Sequence, residues 1–313
     1  MQTTPHVLMV RPTRFDANPE TMGSNAFQRP LAPGLDPQAR ALTEFDGYVA
    51  ALEAAGVTVL VVQDTPAPHT PDSIFPNNWV SFHADGTAIL YPMEAPNRRL
   101  ERRPDLLATV AEHFELHRTL DLSPFEAAGR FLEGTGSMVL DREHHLAYLC
   151  RSSRSHPEAV QTFCEAMGYR AVWFDATDEG GMPVYHTNVM MALGRTLAVV
   201  CLEALDDRSQ RVRLQAILRE SGKVVLPITR AQMAAFAGNM IELQGWNGHP
   251  VLAMSRRAWE VLREDQRDLI RAHAQPVVAP IDTIETCGGG GTRCMVAEIH
   301  LPPKEDDASL RVG

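Results

Sequence analysis

The chain has 313 residues, 44% apolar and 22% charged, an ordinary globular composition that argues against disorder and against a fibrous repeat. Its 29 Lys and Arg against 39 Asp and Glu give a net charge of −10, which argues against a nucleic-acid partner, because neutralising phosphates needs a basic face. Five cysteines, an odd count with no Cys-x-x-Cys spacing, argue against a disulfide framework and a zinc knuckle. No apolar run reaches the length of a membrane span, and the start lacks the pattern of a signal peptide. The expectation is a cytoplasmic protein with reduced thiols, no membrane partner and no metal.

Val7 to Val10 reads as a short strand, and Thr13 to Asp36, rich in Pro, Gly and Asn, as a long loop of the kind that is usually functional or disordered. Pro37 to Ala55 carries Leu42, Phe45, Val49 and Leu52 at helical spacing and stops at Gly56, before a buried strand over Val57 to Val62. Trp79 to Phe82 and Thr87 to Tyr91 form a hairpin around Asp85-Gly86, followed by a helix from Arg98 to Phe114. Ser137 to Asp141 and His145 to Cys150 form a second hairpin, with a helix from Pro157 to Met167 and a strand from Val172 to Phe174. Val189 to Leu193 and Thr196 to Leu202 pair next, then a helix from Arg208 to Glu220 and a strand from Val224 to Pro227. Met240 to Gln244, Pro250 to Met254, a helix from Arg256 to Arg271 and a last strand from Met295 to Leu301 complete the order. One hairpin, helix and strand unit thus recurs about every 55 residues, four or five times, which favours a closed array over an open doubly wound sheet. No composition shift marks a boundary, so residues 1–313 read as one domain.

The segment Cys287-Gly288-Gly289-Gly290-Gly291-Thr292-Arg293-Cys294 stands out. A phosphate loop would need a helix after the glycines, and a strand-like run follows instead. The other reading holds Cys294 at the mouth of a strand as a nucleophile, with Cys287 structural. Lone cysteines are more often buried small hydrophobes, and the glycine run is what raises Cys294 above that reading. His186, in Val184-Tyr185-His186-Thr187-Asn188, lies just before an apolar strand and suits acid–base work near pH 7. Glu133, in Leu132-Glu133-Gly134-Thr135-Gly136, lies at another strand entrance, where the bland alternative is a solvated loop acid.

Together these motifs resemble the guanidino-group-modifying enzymes, which include arginine deiminase, dimethylarginine hydrolase and the amidinotransferases, and most of all the citrulline-utilisation hydrolases. The resemblance runs from Val10-Arg11-Pro12 to Ala297-Glu298-Ile299. It implies an α/β fold, the five-bladed α/β-propeller (pentein) with pseudo-fivefold hairpin-helix-strand repeats. It also implies Cys294 as nucleophile, His186 as general acid and base, and Glu133 as the residue that orients the reacting group. Asp72, in Asp72-Ser73-Ile74-Phe75, matches a ligand-contacting acid. Arg98 and Arg154 match arginines that hold a substrate carboxylate, a task suited to a planar guanidinium fork.

Three positions depart from the arginine deiminase pattern. Asn78, Gly136 and Asn188 stand where acids are expected. Burying a guanidinium without carboxylates is costly, whereas an amide both donates to and accepts from a neutral ureido group. The expected substrate is therefore citrulline, cleaved to ornithine, ammonia and carbon dioxide through a covalent Cys294 intermediate, with Asn78, Asn188 and Arg293 among the substrate-binding residues. Backbone amides of Gly289 to Arg293 are expected at the oxyanion. No cofactor is implied, the partner is a small amino acid, and a symmetric dimer suits an acidic enzyme of this size. Arginine or methylarginine hydrolysis, amidino transfer and a non-catalytic propeller binding protein are the competing readings.

Overall fold

Every apolar run expected to be a strand forms one in the computed structural model of the protein, in which residues 1–305 are described, and the strands group into five three-stranded mixed sheets. β1 (His6–Arg11) runs parallel to β2 (Thr58–Gln63). β3 (Val80–Phe82), β4 (Thr87–Leu90) and β5 (Arg118–Asp121) form the next sheet, and β6 (Val139–Asp141), β7 (Leu146–Cys150) and β8 (Arg170–Phe174) the third. β9 (Met191–Leu193), β10 (Leu197–Val200) and β11 (Val224–Pro227) form the fourth, and β12 (Ile241–Gln244), β13 (Pro250–Ser255) and β14 (Gln275–Ala279) the fifth. The last strand, β15 (Ala297–Glu298), pairs antiparallel with β1 and completes the first sheet.

Each sheet repeats one grammar. A middle strand is antiparallel to one neighbour and parallel to the other, as β4 is to β3 and β5. An antiparallel pair closes with a tight turn, while a parallel pair needs a crossover, and helices such as Pro104–His113 and Pro157–Met167 supply it. Middle strands are the most apolar: every residue of β7 and of β10 is buried. Third strands face solvent, and three of the four residues of β5 are exposed. Helix Pro37–Ala54 buries Phe45, Tyr48 and Leu52 in a core shared with Val7 and Met9 of β1. Its N-terminus is capped by Asp36, which accepts from the Ala39 amide at 3.2 Å.

Several expected boundaries move. The helix expected from Arg98 is two pieces, a turn Pro96–Arg99 and a helix starting at Pro104, because proline is tolerated only in a first turn. The helix expected over Arg256 to Arg271 likewise divides into Arg256–Val261 and Glu264–His273. Ser137, Val189 and Met190, expected as the first residues of strands, belong instead to the helical turns Gly134–Ser137 and Thr187–Met190, and only Ala297 and Glu298 of the last apolar run are paired as a strand. β5 and β14 are strands that the apolar pattern did not announce. Among the described residues no helix is long and apolar enough to cross a membrane, and no group of three or more His, Cys, Asp or Glu could hold a metal ion.

Candidate active site

The five sheets bring their first strands' entrances to one place. Asn78 precedes β3, Glu133 β6, His186 β9, Asn239 β12 and Cys294 β15. These positions are separated by 55, 53, 53 and 55 residues, the repeat of the fold itself. Asn78, His186 and Cys294 line a narrow cleft together with Asp72, Arg98 and Arg154. Glu133 lies behind His186, and Asn188 and Asn239 reach the Cys294 sulfur.

Two amides attend the thiol. Asn239 Nδ2 lies 3.2 Å from Cys294 Sγ and Asn188 Nδ2 lies 3.5 Å from it. Asn239 also donates to the Asn188 carbonyl at 3.0 Å and accepts the Arg293 amide at 3.1 Å, so it ties the His186 segment to the cysteine loop. Burial pushes the Cys294 thiol up from its ordinary value, and hydrogen bonding from Asn239 opposes that rise. The glycines are required by close contact: a Cβ on Gly291 would lie 2.7 Å from Asn239 Oδ1, and one on Gly136 would lie 2.4 Å from Asn78 Nδ2 and 2.8 Å from His186 Nδ1.

His186 Nε2 sits 2.8 Å from Glu133 Oε2, leaving Nδ1 as the nitrogen able to exchange a proton with a ligand. Burial would raise the Glu133 carboxyl, but Arg154, the His186 contact and Arg98 outweigh it and hold the group ionised, well below the usual carboxylate range. Arg154 Nη1 is 3.3 Å from Glu133 Oε2, and Arg98 Nη1 is 4.0 Å from it. Burial lowers His186, against the pull of Glu133, so the imidazole is neutral at pH 7. Gly134 shapes this turn with φ +46°, where a Cβ would lie 2.3 Å from the Asn77 carbonyl oxygen.

Asp72 faces the cleft from the other side. It accepts from Asn18 Nδ2 at 2.7 Å and from Thr21 Oγ1 at 3.2 Å, both in the long loop, and lies 3.7 Å from Arg98 Nε. Burial raises its carboxyl, with Arg98 pulling the other way. Arg98 forks onto Glu101 at 2.9 and 3.0 Å and donates to Asn78 Oδ1 at 2.8 Å. Arg154 is held by Glu94 at 3.0 Å, by Ser24 at 2.6 Å and by Glu133. Both arginines line the cleft, but much of each fork is already engaged. Arg293 is not part of the cleft: its guanidinium pairs with Glu298 at 2.7 Å and lines another cavity. It lies in the turn that precedes β15, where its guanidinium also donates to the Val296 carbonyl at 3.0 Å.

The sequence reading missed Asn239, Glu101, the loop residue Thr21, and Tyr185 and Asn25, which line the cleft and donate to the Gly289 carbonyl at 2.8 and 3.2 Å. Asn239 had a signal, its place in the 53-to-55-residue series. The loop residues had none, since their role is set by packing against segments distant in sequence.

A profile of eukaryotic N,N-dimethylarginine dimethylhydrolases matches residues 11–301. The chain belongs to the N,N-dimethylarginine dimethylhydrolase family. That places it in the guanidino-modifying superfamily and makes it homologous to hydrolases of carbon–nitrogen bonds. Solved structures share the family fold. The N-terminal domain of ArgZ, a cyanobacterial arginine dihydrolase, solved as a Cys-to-Ser mutant bound to substrate, has a TM-score of 0.72 and 19% identity, covering 95% of this chain and 98% of that one. Unliganded AgrE gives 0.71 and 18%, covering 96% of this chain and 40% of that one. The dimethylarginine hydrolase of Pseudomonas aeruginosa, complexed with citrulline, gives 0.65 and 16%, covering 96% of this chain and all of that one. No curated protein sequence matches significantly.

Proposed function

We propose that this protein is a cysteine-dependent hydrolase of a ureido amino acid, converting citrulline to ornithine, ammonia and carbon dioxide in the cytoplasm. The observation that carries the reading is the neutral lining around the sulfur. Asn188 and Asn239 direct amides at Sγ, Asn78 shares the cleft and Gly136 presents no side chain. Glu133, behind His186, already serves His186 and Arg154. A ureido oxygen and its NH groups match amides, while a guanidinium there would lack a dedicated counter-charge.

The chemistry follows from the resting charges. Thiol and imidazole are both neutral at pH 7, so the proton leaves Cys294 as its sulfur attacks the ureido carbon, and reaches the departing nitrogen through His186 Nδ1. Glu133 stabilises the imidazolium that forms on the way. A C–S bond forms, a C–N bond breaks, and a thiocarbamate remains on Cys294. His186 then takes a proton from water, whose oxygen attacks the thiocarbamate; the C–S bond breaks, the proton returns to the sulfur, and the carbamic acid released falls apart in water to carbon dioxide and the second amine. The Arg293 amide is bonded to Asn239 and the Gly289 amide to the Glu285 carbonyl, which leaves Gly290 to Thr292 as the oxyanion donors. Asp72 is the group for the substrate ammonium, and the unengaged N–H groups of Arg98 and Arg154 are those for its carboxylate.

One domain carries this activity, and its five sheets close into a five-bladed propeller; contacts of β15 with β3, β6 with β9 and β9 with β12 support that closure. A second reading, hydrolysis of arginine or a methylarginine, is favoured by Asp72, a carboxylate lining the same cleft, and by the arginine dihydrolase named among the similar structures. Acid quenching during turnover of citrulline tests the chemical route. The reading expects a thiocarbamate on the peptide containing Cys294; turnover without any adduct on that peptide, under conditions where burst kinetics are seen, contradicts it.

A further inference from the structure

A second cavity, of about 270 Å³, opens beside the cleft between the long loop, the segment around Asp178 and the helix Arg230–Ala234. Its floor is apolar. Phe236 packs on Phe27 with ring centroids 5.0 Å apart, and Met233 lies beside them. Phe236 has φ +63°, a left-handed conformation unusual for a bulky side chain and typical of sites where geometry is held for a purpose.

The rim is charged with both signs. Arg257 lies 5.5 Å over the Phe236 ring, donates to the Ala234 carbonyl at 3.1 Å, and is 3.8 Å from its nearest carboxylate, Glu285, beyond hydrogen-bonding distance. Arg29, exposed on the loop, makes no ion pair among the described residues. Asp178 and Glu179 stand on the rim as well. Two guanidiniums with free N–H groups, two carboxylates and an aromatic floor form a pattern complementary to a zwitterion with an apolar body.

We propose that this cavity binds a free amino acid with an apolar or aromatic side chain, its carboxylate at Arg29 and Arg257, its ammonium at Asp178 and Glu179, and its side chain on Phe27 and Phe236. The site is distinct from the cleft and does not depend on which substrate the cleft takes. It adjoins the cysteine loop: the Phe236 carbonyl accepts the Asn239 amide at 2.9 Å, and a Cβ on Gly291 would lie 3.3 Å from the Phe236 ring. An occupant resting on Phe236 therefore touches the residue that positions Asn239 against Cys294.

Titration calorimetry with L-phenylalanine, phenylacetate and phenethylamine tests the proposal, using the wild-type chain and the same chain with Cys294 alkylated. L-phenylalanine is expected to bind both forms, and each analogue lacking one charge about tenfold more weakly. Arg29→Gln, an exposed change that leaves the buried Glu285 with its partner, is expected to weaken L-phenylalanine several-fold. The proposal is overturned if there is no binding at about 10 mM, if alkylation of Cys294 abolishes it, or if the three compounds bind alike.

Discussion

At Cys294 the balance between burial and two amides decides how much thiolate exists. Burial favours the neutral thiol, so the ionised fraction at pH 7 is below that of an ordinary cysteine and grows as pH rises toward the elevated pKa. The alkylation rate of Cys294 should therefore climb from pH 7 to pH 9, whereas kcat/KM, which draws on the neutral thiol–imidazole pair and its single proton, should not climb with it; an alkylation rate that stays flat would contradict the account. Asn239→Ala removes the amide that opposes the rise, so alkylation at pH 7 should slow several-fold while the far-ultraviolet circular dichroism is retained. An unchanged rate would mean that Asn239 does not act on the sulfur. Glu133→Gln leaves His186 without its carboxylate and should lower kcat by about 10²- to 10⁴-fold, the usual share of a general acid–base. The neighbouring sequence made Cys294, His186 and Glu133 legible, because glycines and strand entrances mark them. It did not show that Arg293 turns to Glu298, since a charged residue beside a nucleophile has two faces to choose from and the pairing partner lies on the far one.

Among elements, the hairpins were legible because their middle strands are continuously apolar, while β5 was not, because an outer strand with exposed Arg118, Thr119 and Asp121 has no apolar pattern. The helical turn Gly134–Ser137 explains why Gly136 is glycine. Gly136→Ala places a methyl group against Asn78 and the His186 ring, so it should cut kcat at least tenfold by shifting the imidazole, and cost about 1–3 kcal/mol of stability as overpacking does, without unfolding the protein. Near-normal turnover in that variant would contradict the packing argument. Loop 13–36 was legible as a long loop, and the structure seats its Thr21 and Asn25 as one wall of the cleft. The cleft's free volume is about 20 Å³, room for little more than a water, so an amino acid enters only when this wall yields. Deuterium exchange of residues 18–28 is expected to fall when substrate binds Cys294→Ala; exchange unaffected by substrate would show that access lies elsewhere.

For the whole molecule, one supersecondary unit used five times accounts for the chemistry as well as the architecture. Five strand entrances converge, and each contributes one group: two amides, a carboxylate, an imidazole and a thiol. The repeat was legible from periodicity alone, whereas the amides around the sulfur come from Asn239 at one entrance and Asn188 just inside another. The most direct measurement of the central claim is ornithine and ammonia release from L-citrulline beside L-arginine and dimethylarginine, with Cys294→Ala as the control. The account predicts turnover of citrulline in clear preference to both cations, and none by the control. Preferred turnover of arginine or a methylarginine would contradict it, and would assign Asp72 and Glu133 to holding a guanidinium.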